Sequence, residues 1–226
     1  MKIALIVSAD AEWRVMKEII SDQVVEYSPY GEYISMTIKT GKMVIFQGGW
    51  GKISAAASAQ YVIDHFQPDL IVNLGTCGGF SGRIQTGTVI LVERTLVYDI
   101  LEQMGDSEEA IAHYSTALDL TWLPKEPPVP VTRGLLISAD RDIVVGEIPG
   151  LIKQYGAVAA DWESASIAWV AQKNGIRVLI LRSVTDLVGE KGGEAYGNVG
   201  LFHDRTKTEM KKLFEMFSTW LEQIDN

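Results

Sequence analysis

The chain has 226 residues, one cysteine, and 29 Asp and Glu against 20 Lys and Arg, a net charge of −9. That length suits one α/β-sized domain, 1–226, able to bury a core without staples. The acid surplus disfavours phosphate backbones, and the lone Cys77 excludes an internal disulfide and points to a reducing compartment. A cytoplasmic protein that binds no nucleic acid is the expectation.

Met1-Lys2 and the apolar run 3–7 have the outline of a secretion signal. The run is too short for one and passes straight into Asp10 and Glu12, so a buried first strand is the better reading. No apolar run nears the ~20 residues of a membrane helix, and no membrane partner is expected. Onward, short apolar runs alternate with segments of helical period, which is an α/β pattern. Strands are predicted at 2–7, 32–39, 43–47, 69–74, 88–97, 134–138, 158–160 and 177–184. Helices are predicted at 11–20, 53–66, 145–155, 164–174 and 205–223. Val44-Ile45-Phe46 and Val178-Leu179-Ile180-Leu181 are apolar on successive residues, as in strands covered on both faces. Gln67-Pro68 and Asn174-Gly175 end two of the helices. The stretch 102–133 is the least regular, and Pro124, Pro127, Pro128 and Pro130 make its second half a loop.

Gly48-Gly49-Trp50-Gly51-Lys52-Ile53-Ser54 follows a strand and opens a helix, which invites a phosphate-loop reading. Ile53 stands where the magnesium-holding hydroxyl belongs, the upstream glycine spacing is wrong, and no acid ends the next strand. Cys77, His65, His113 and His203 have no zinc-ligand spacing, and there is no Gly-x-Ser-x-Gly elbow. No cofactor and no metal are expected.

Acids remain, placed where α/β proteins build sites, beyond the carboxyl ends of strands. The first strand runs into Asp10 and Glu12, a later one into Asp161-Trp162-Glu163, and the strand 177–184 into Thr185-Asp186. Asn73-Leu74-Gly75-Thr76-Cys77-Gly78-Gly79 reads as a Gly-rich turn that lets backbone approach a ligand. Each acid also has a plain structural reading: Asp10 and Asp161 as helix N-caps, Glu12 as a first-turn acid, Asp186 as a turn start. Two carboxylates held apart can divide acid and base work if their surroundings separate their proton affinities.

Taken in order, these pieces resemble the nucleoside phosphorylase/nucleosidase superfamily, most of all its 5′-methylthioadenosine/S-adenosylhomocysteine nucleosidases. The pieces are 1–12, Gly49-Trp50-Gly51-Lys52, Gly75-Thr76-Cys77-Gly78-Gly79, Tyr98-Asp99, Ser138-Ala139-Asp140, Asp161-Trp162-Glu163-Ser164-Ala165 and Arg182-Ser183-Val184-Thr185-Asp186. The resemblance implies one α/β domain around a central mixed β-sheet flanked by helices, assembled as a homodimer or larger homo-oligomer. It implies hydrolysis of the N-glycosidic bond of a purine nucleoside, the small-molecule partner. Asp186 then matches the acid that protonates the purine, Glu12 the base that activates water, and Arg182 the residue that helps place that water. Glu163 matches the residue that binds the ribose hydroxyls, and Thr76 a small hydroxyl near the base.

Trp50 and Trp162 replace smaller side chains that line the substrate in those enzymes, and either reshape the pocket or pack in the core. Asp142 stands at an aromatic position, leaving Ile143, with Gly78, to line the site; Tyr98 replaces a His. Val7 and Ser8 lack the phosphate-binding Gly and Arg of the hexameric phosphorylases, so phosphate would need Arg14, Arg83 or Arg94. Three alternatives stay open: a phosphate-dependent phosphorylase, a futalosine-type nucleoside hydrolase, and a non-catalytic nucleoside-binding domain.

Overall fold

A computed structural model describes residues 1–224; positions 225 and 226, the end of the expected domain, lie outside the described residues. The first half runs β1 (Lys2–Val7), α1 (Asp10–Ile19), β2 (Glu26–Tyr27), β3 (Glu32–Ile38), β4 (Gly41–Gln47), α2 (Gly51–Phe66), β5 (Leu70–Phe80) and β6 (Val89–Val97). The second half runs α3 (Ser107–His113), β7 (Thr116–Ala117), β8 (Thr132–Ser138), α4 (Ile148–Tyr155) and β9 (Ala159–Asp161). It closes with α5 (Ser164–Lys173), β10 (Arg177–Gly189), β11 (Gly192–Gly193) and α6 (Val199–Ile224).

One mixed sheet carries every strand. β1 lies parallel between β4 and β5, and β3 and β2 continue antiparallel to one edge. Beyond β5 the sheet closes on itself. β5 pairs with both β10 and β9, β10 pairs with β6, β6 with β8, and β8 with β9. α2 and α5 cover one face through Ala55, Ala59, Val62, Ile167 and Ala171. α1 and α6 cover the other through Trp13, Met16, Met210, Leu213, Phe217 and Trp220. With both faces covered, consecutive strand residues can all be apolar, as in Ile3 to Val7 of β1. Gln67 and Gly175 end α2 and α5 in the left-handed region, as their sequences announce. No helix among the described residues is long and apolar enough to cross a membrane.

The structure corrects several sequence expectations. The glycine-rich stretch is no turn: β5 runs through it to Phe80. β10 likewise runs past 184 to Gly189, so Asp186 sits inside a strand, just after an irregularity between Val184 and Asp186. The irregular stretch hides α3, seven residues long and capped by the Asp106 carboxylate, which accepts the Glu108 N–H. α6 starts at Val199 rather than 205. Asp10 is no N-cap, since α1 begins with it and its carboxylate instead takes the Gln47 amide.

Candidate active site

A cavity of about 320 Å³ opens just past the ends of β1 and β9, against the later residues of β5 and β10. Glu12, Trp50, Thr76, Gly78, Ile143, Trp162, Glu163 and Asp186 all line it. Arg182, the remaining predicted site residue, is fully buried behind that wall.

Glu12 is fixed by short bonds. Its Oε1 accepts from the Thr76 N–H at 2.5 Å and from Thr76 Oγ1 at 2.8 Å, and its Oε2 accepts from the Ala9 N–H at 3.2 Å. The last bond is the first-turn role read from sequence, and the other two tie the same side chain to β5. Arg182 Nη1 lies 4.0 Å from Glu12 Oε1. Its Nε donates to Ser164 Oγ at 2.8 Å and lies 3.0 Å from Asp161 Oδ2, while Nη2 donates to Asn73 Oδ1 at 2.8 Å. Gly75 makes this crossing possible, because a Cβ there would sit 1.7 Å from Nη1. The glycine thus admits a guanidinium rather than a ligand. Burying a charge this deeply requires a partner for each polar group, and Asp161 is matched in turn by Ser138, Ser164 and Arg182. Asp161 also accepts the Ser164 N–H at the start of α5, but the N-cap position is Glu163, so Asp161 is not the N-cap read from sequence.

Glu163 faces the cavity, and its Oε1 accepts the Gly51 N–H at 3.1 Å. Burial, and then the negative charge of Asp161, push its carboxyl above the usual range. Asp186 lines the same cavity, with Thr185 Oγ1 donating to it at 3.1 Å. Burial raises its carboxyl too, against the pull of that hydroxyl. Burial likewise pushes up the thiol of Cys77, a cavity-lining residue that donates weakly to the Ser183 carbonyl, which disfavours the reactive thiolate.

Trp50 and Trp162 stack with ring centroids 5.8 Å apart and planes 16° apart. Trp50 is 73% exposed, so the core-packing reading fails and the pair is an aromatic ledge on the cavity. Asp142 lines the cavity beside Ile143. Tyr98 is buried behind, with the Arg141 guanidinium 5.1 Å from its ring centre. Sequence reasoning missed Tyr196, Val199 and Phe202, which line the cavity from the segment after β11. Tyr196 donates to the Ile143 carbonyl at 3.1 Å. An aromatic residue within the glycine punctuation 192–197, just past a site strand, is the signal that marked it. No group of three or more His, Cys, Asp or Glu among the described residues is placed to hold a metal ion.

Comparison with known proteins places the fold and the family. A 5′-methylthioadenosine/S-adenosylhomocysteine nucleosidase of Buchnera aphidicola subsp. Schizaphis graminum is 30% identical over 198 residues, 83% of this chain and 84% of that one. The nucleosidase of that name from Helicobacter pylori, crystallised with butyl-thio-DADMe-Immucillin-A, superposes with a TM-score of 0.81 at 17% identity, covering 96% and 98% of the two chains. A futalosine hydrolase mutant of Helicobacter pylori shares the fold at a TM-score of 0.75 and 16% identity, over 96% of this chain and 99% of that one. The family profile described as "Phosphorylase superfamily" matches residues 2–219. A match of that span, added to a fold shared end to end, means that the chain belongs to the phosphorylase superfamily.

Proposed function

We propose that the protein hydrolyses the N-glycosidic bond of a 5′-methylthioadenosine or S-adenosylhomocysteine-like purine nucleoside, releasing free base and a ribose derivative. One observation carries the reading: two carboxylates in unlike surroundings, Glu12 and Asp186, line the same cavity, with Glu163 between the aromatic ledge and the Arg182 network. Asp186, whose proton affinity burial raises, is the group that gives a proton to the purine as the glycosidic bond breaks. Glu12, held by Thr76 and Ala9, takes a proton from the water that attacks the sugar. Glu163 binds the ribose hydroxyls. Arg182 touches no open space and acts as a positioning residue, through Asp161 and Glu12. Thr76, Gly78, Ile143, Trp50 and Trp162 line the substrate.

Water is favoured over phosphate as the nucleophile because a phosphate needs an uncommitted cation. The cavity-lining Arg141 is bound to Glu147, Arg182 is paired with Asp161, and Arg14, Arg83 and Arg94 stand elsewhere. Work in the cytoplasm as a homodimer completes the reading. Exposed Trp50, the residue before α2, and Ile53 in its first turn, together with Leu101 and Met104, supply apolar surface that a second copy would cover.

The test is base release from methylthioadenosine, adenosylhomocysteine, inosine and futalosine in phosphate-free buffer. Cleavage of a 5′-thioalkyl purine nucleoside, reduced roughly 10²–10⁴-fold in Asp186→Asn, is the expected outcome. Strict phosphate dependence with ribose 1-phosphate as product would point to a phosphorylase. Tight binding without turnover would point to a sensor.

A further inference from the structure

The N-terminus of α2 has no cap of its own, for neither Trp50 nor its neighbours supply a side-chain acceptor. The first N–H groups of a helix lack intrahelical partners and favour negative charge. Two of them are taken here by carboxylates remote in the chain. Glu163 Oε1 accepts from Gly51, and Asp140 Oδ1 accepts from Lys52 at 2.7 Å. The Lys52 ammonium pairs with Asp99 and lies 3.7 Å from Asp140 Oδ2, and Asp99 accepts the Asp140 N–H at 3.1 Å. Three charged side chains from three segments thus form a closed network just outside the cavity, which none of them lines.

The network grips a backbone that needs gripping. Gly51 holds a φ of 79°, in the left-handed region, and a Cβ there would lie 2.8 Å from Asp140 Oδ1. The lysine that invites a phosphate-loop reading is therefore committed to two carboxylates. The amide that precedes it in the chain, that of Gly51, is the hydrogen-bond donor to Glu163.

We propose that Lys52, Asp99 and Asp140 are positioning residues: they fix the Gly51 amide and so aim the Glu163 carboxylate at the ribose hydroxyls. The inference rests on the reading of Glu163 given above. A displacement near 1 Å at a group that orients substrate can cost about 10²-fold in rate. Trp50 adjoins Gly51, so the aromatic ledge depends on the same network.

The test uses the full chain and compares kcat/KM on methylthioadenosine and on its 2′-deoxy analogue. Wild type is set beside Lys52→Ala, Lys52→Arg, Asp140→Asn and Glu163→Gln. Near-ultraviolet circular dichroism reports the Trp50–Trp162 stack, its signal defined by the difference between wild type and Trp50→Phe. Lys52→Ala and Asp140→Asn should lower kcat/KM roughly 10–100-fold on the ribonucleoside and only about threefold on the deoxy analogue. Lys52→Arg should recover most of the loss, and the stack signal should fall in Lys52→Ala. If Glu163→Gln collapses the ribo-to-deoxy ratio while Lys52→Ala leaves it at the wild-type value, or lowers both substrates alike, the proposal is overturned. If Glu163→Gln leaves the ratio intact, the ribose assignment of Glu163 falls instead. The stack signal then decides for the network alone, and an unchanged signal in Lys52→Ala overturns it.

Discussion

Of the two carboxylates on the cavity, Glu12 takes hydrogen bonds from three donors and faces the guanidinium of Arg182. Asp186 has the Thr185 hydroxyl and the Ala195 N–H beside it, and Val188, Ile143 and Tyr196 line the same cavity. The first carboxylate is embedded in polar groups that only donate. The second is raised by burial that its two donors do not offset. The contrast shows how a helix start on α1 and a strand, β10, that meet at one cavity can present two carboxylates to one ligand and still assign them different work.

The sharpest way to break this comparison is to neutralise each carboxylate and read the pH profile. Glu12→Gln should lower kcat roughly 10²–10⁴-fold, the ordinary worth of general base assistance. Asp186 works as an acid only while protonated, so wild-type kcat/KM should fall as pH rises through its raised pKa. In Asp186→Asn the residual activity should lose that falling limb, measured from about pH 5 to about 9. A limb that persists in the variant would assign the acid elsewhere.

Arg182→Met probes the polar surroundings of Glu12 by stability. It leaves Asp161 buried without its cation, and breaking such a pair typically costs about 3–5 kcal/mol. Urea unfolding followed by tryptophan fluorescence checks it, and a near-neutral result would mean that Asp161 finds enough compensation in Ser138 and Ser164.

Why Arg182 lies where it does was only partly legible in sequence. The apolar runs and the acids that follow them announced the strands and put Glu12, Glu163 and Asp186 just beyond strand ends; that the three share one cavity came from the structure. The glycines of β5 misled, because a glycine cluster after a strand ordinarily reads as a turn. Gly75 is instead a strand position emptied for a guanidinium that arrives from β10, 107 positions away (182 − 75 = 107). The closure of the sheet stayed hidden for the same reason. It depends on β5 pairing with both β9 and β10, which no local pattern encodes. Asp99 and Asp140 went unassigned because their partner Lys52 lies 47 and 88 positions away in the chain.

A smaller change tests one donor to Glu12. Thr76→Val keeps the backbone N–H to Glu12 and deletes the Oγ1 bond. A hydrogen bond to a charged group is worth about 1.5–3 kcal/mol, and with the N–H retained kcat should fall about tenfold. Thr76→Ser, which keeps the hydroxyl, should restore it. A loss in Thr76→Ser with none in Thr76→Val would mean that the methyl group, and not the bond to Glu12, matters.

The smallest effect concerns Glu163, which shares the burial of Asp186 and the polar surroundings of Glu12. Its carboxyl is raised on folding, first by burial and then by Asp161. The folded chain therefore holds that proton more tightly than the unfolded chain. The stability so contributed is fully present below the unfolded glutamate range, and it is lost as pH rises through the raised value. Glu163→Gln has no proton to lose and keeps an oxygen for the Gly51 N–H. The variant and wild type should unfold alike in mild acid, and the variant should become the more stable as pH rises. The gain should be on the order of 1 kcal/mol, the scale of a tenfold change in proton affinity. Denaturant midpoints across that pH range measure it. A difference that stays flat would mean that Asp161 and Arg182 cancel at Glu163, leaving Asp186 as the one carboxylate in the cavity whose proton is held by burial.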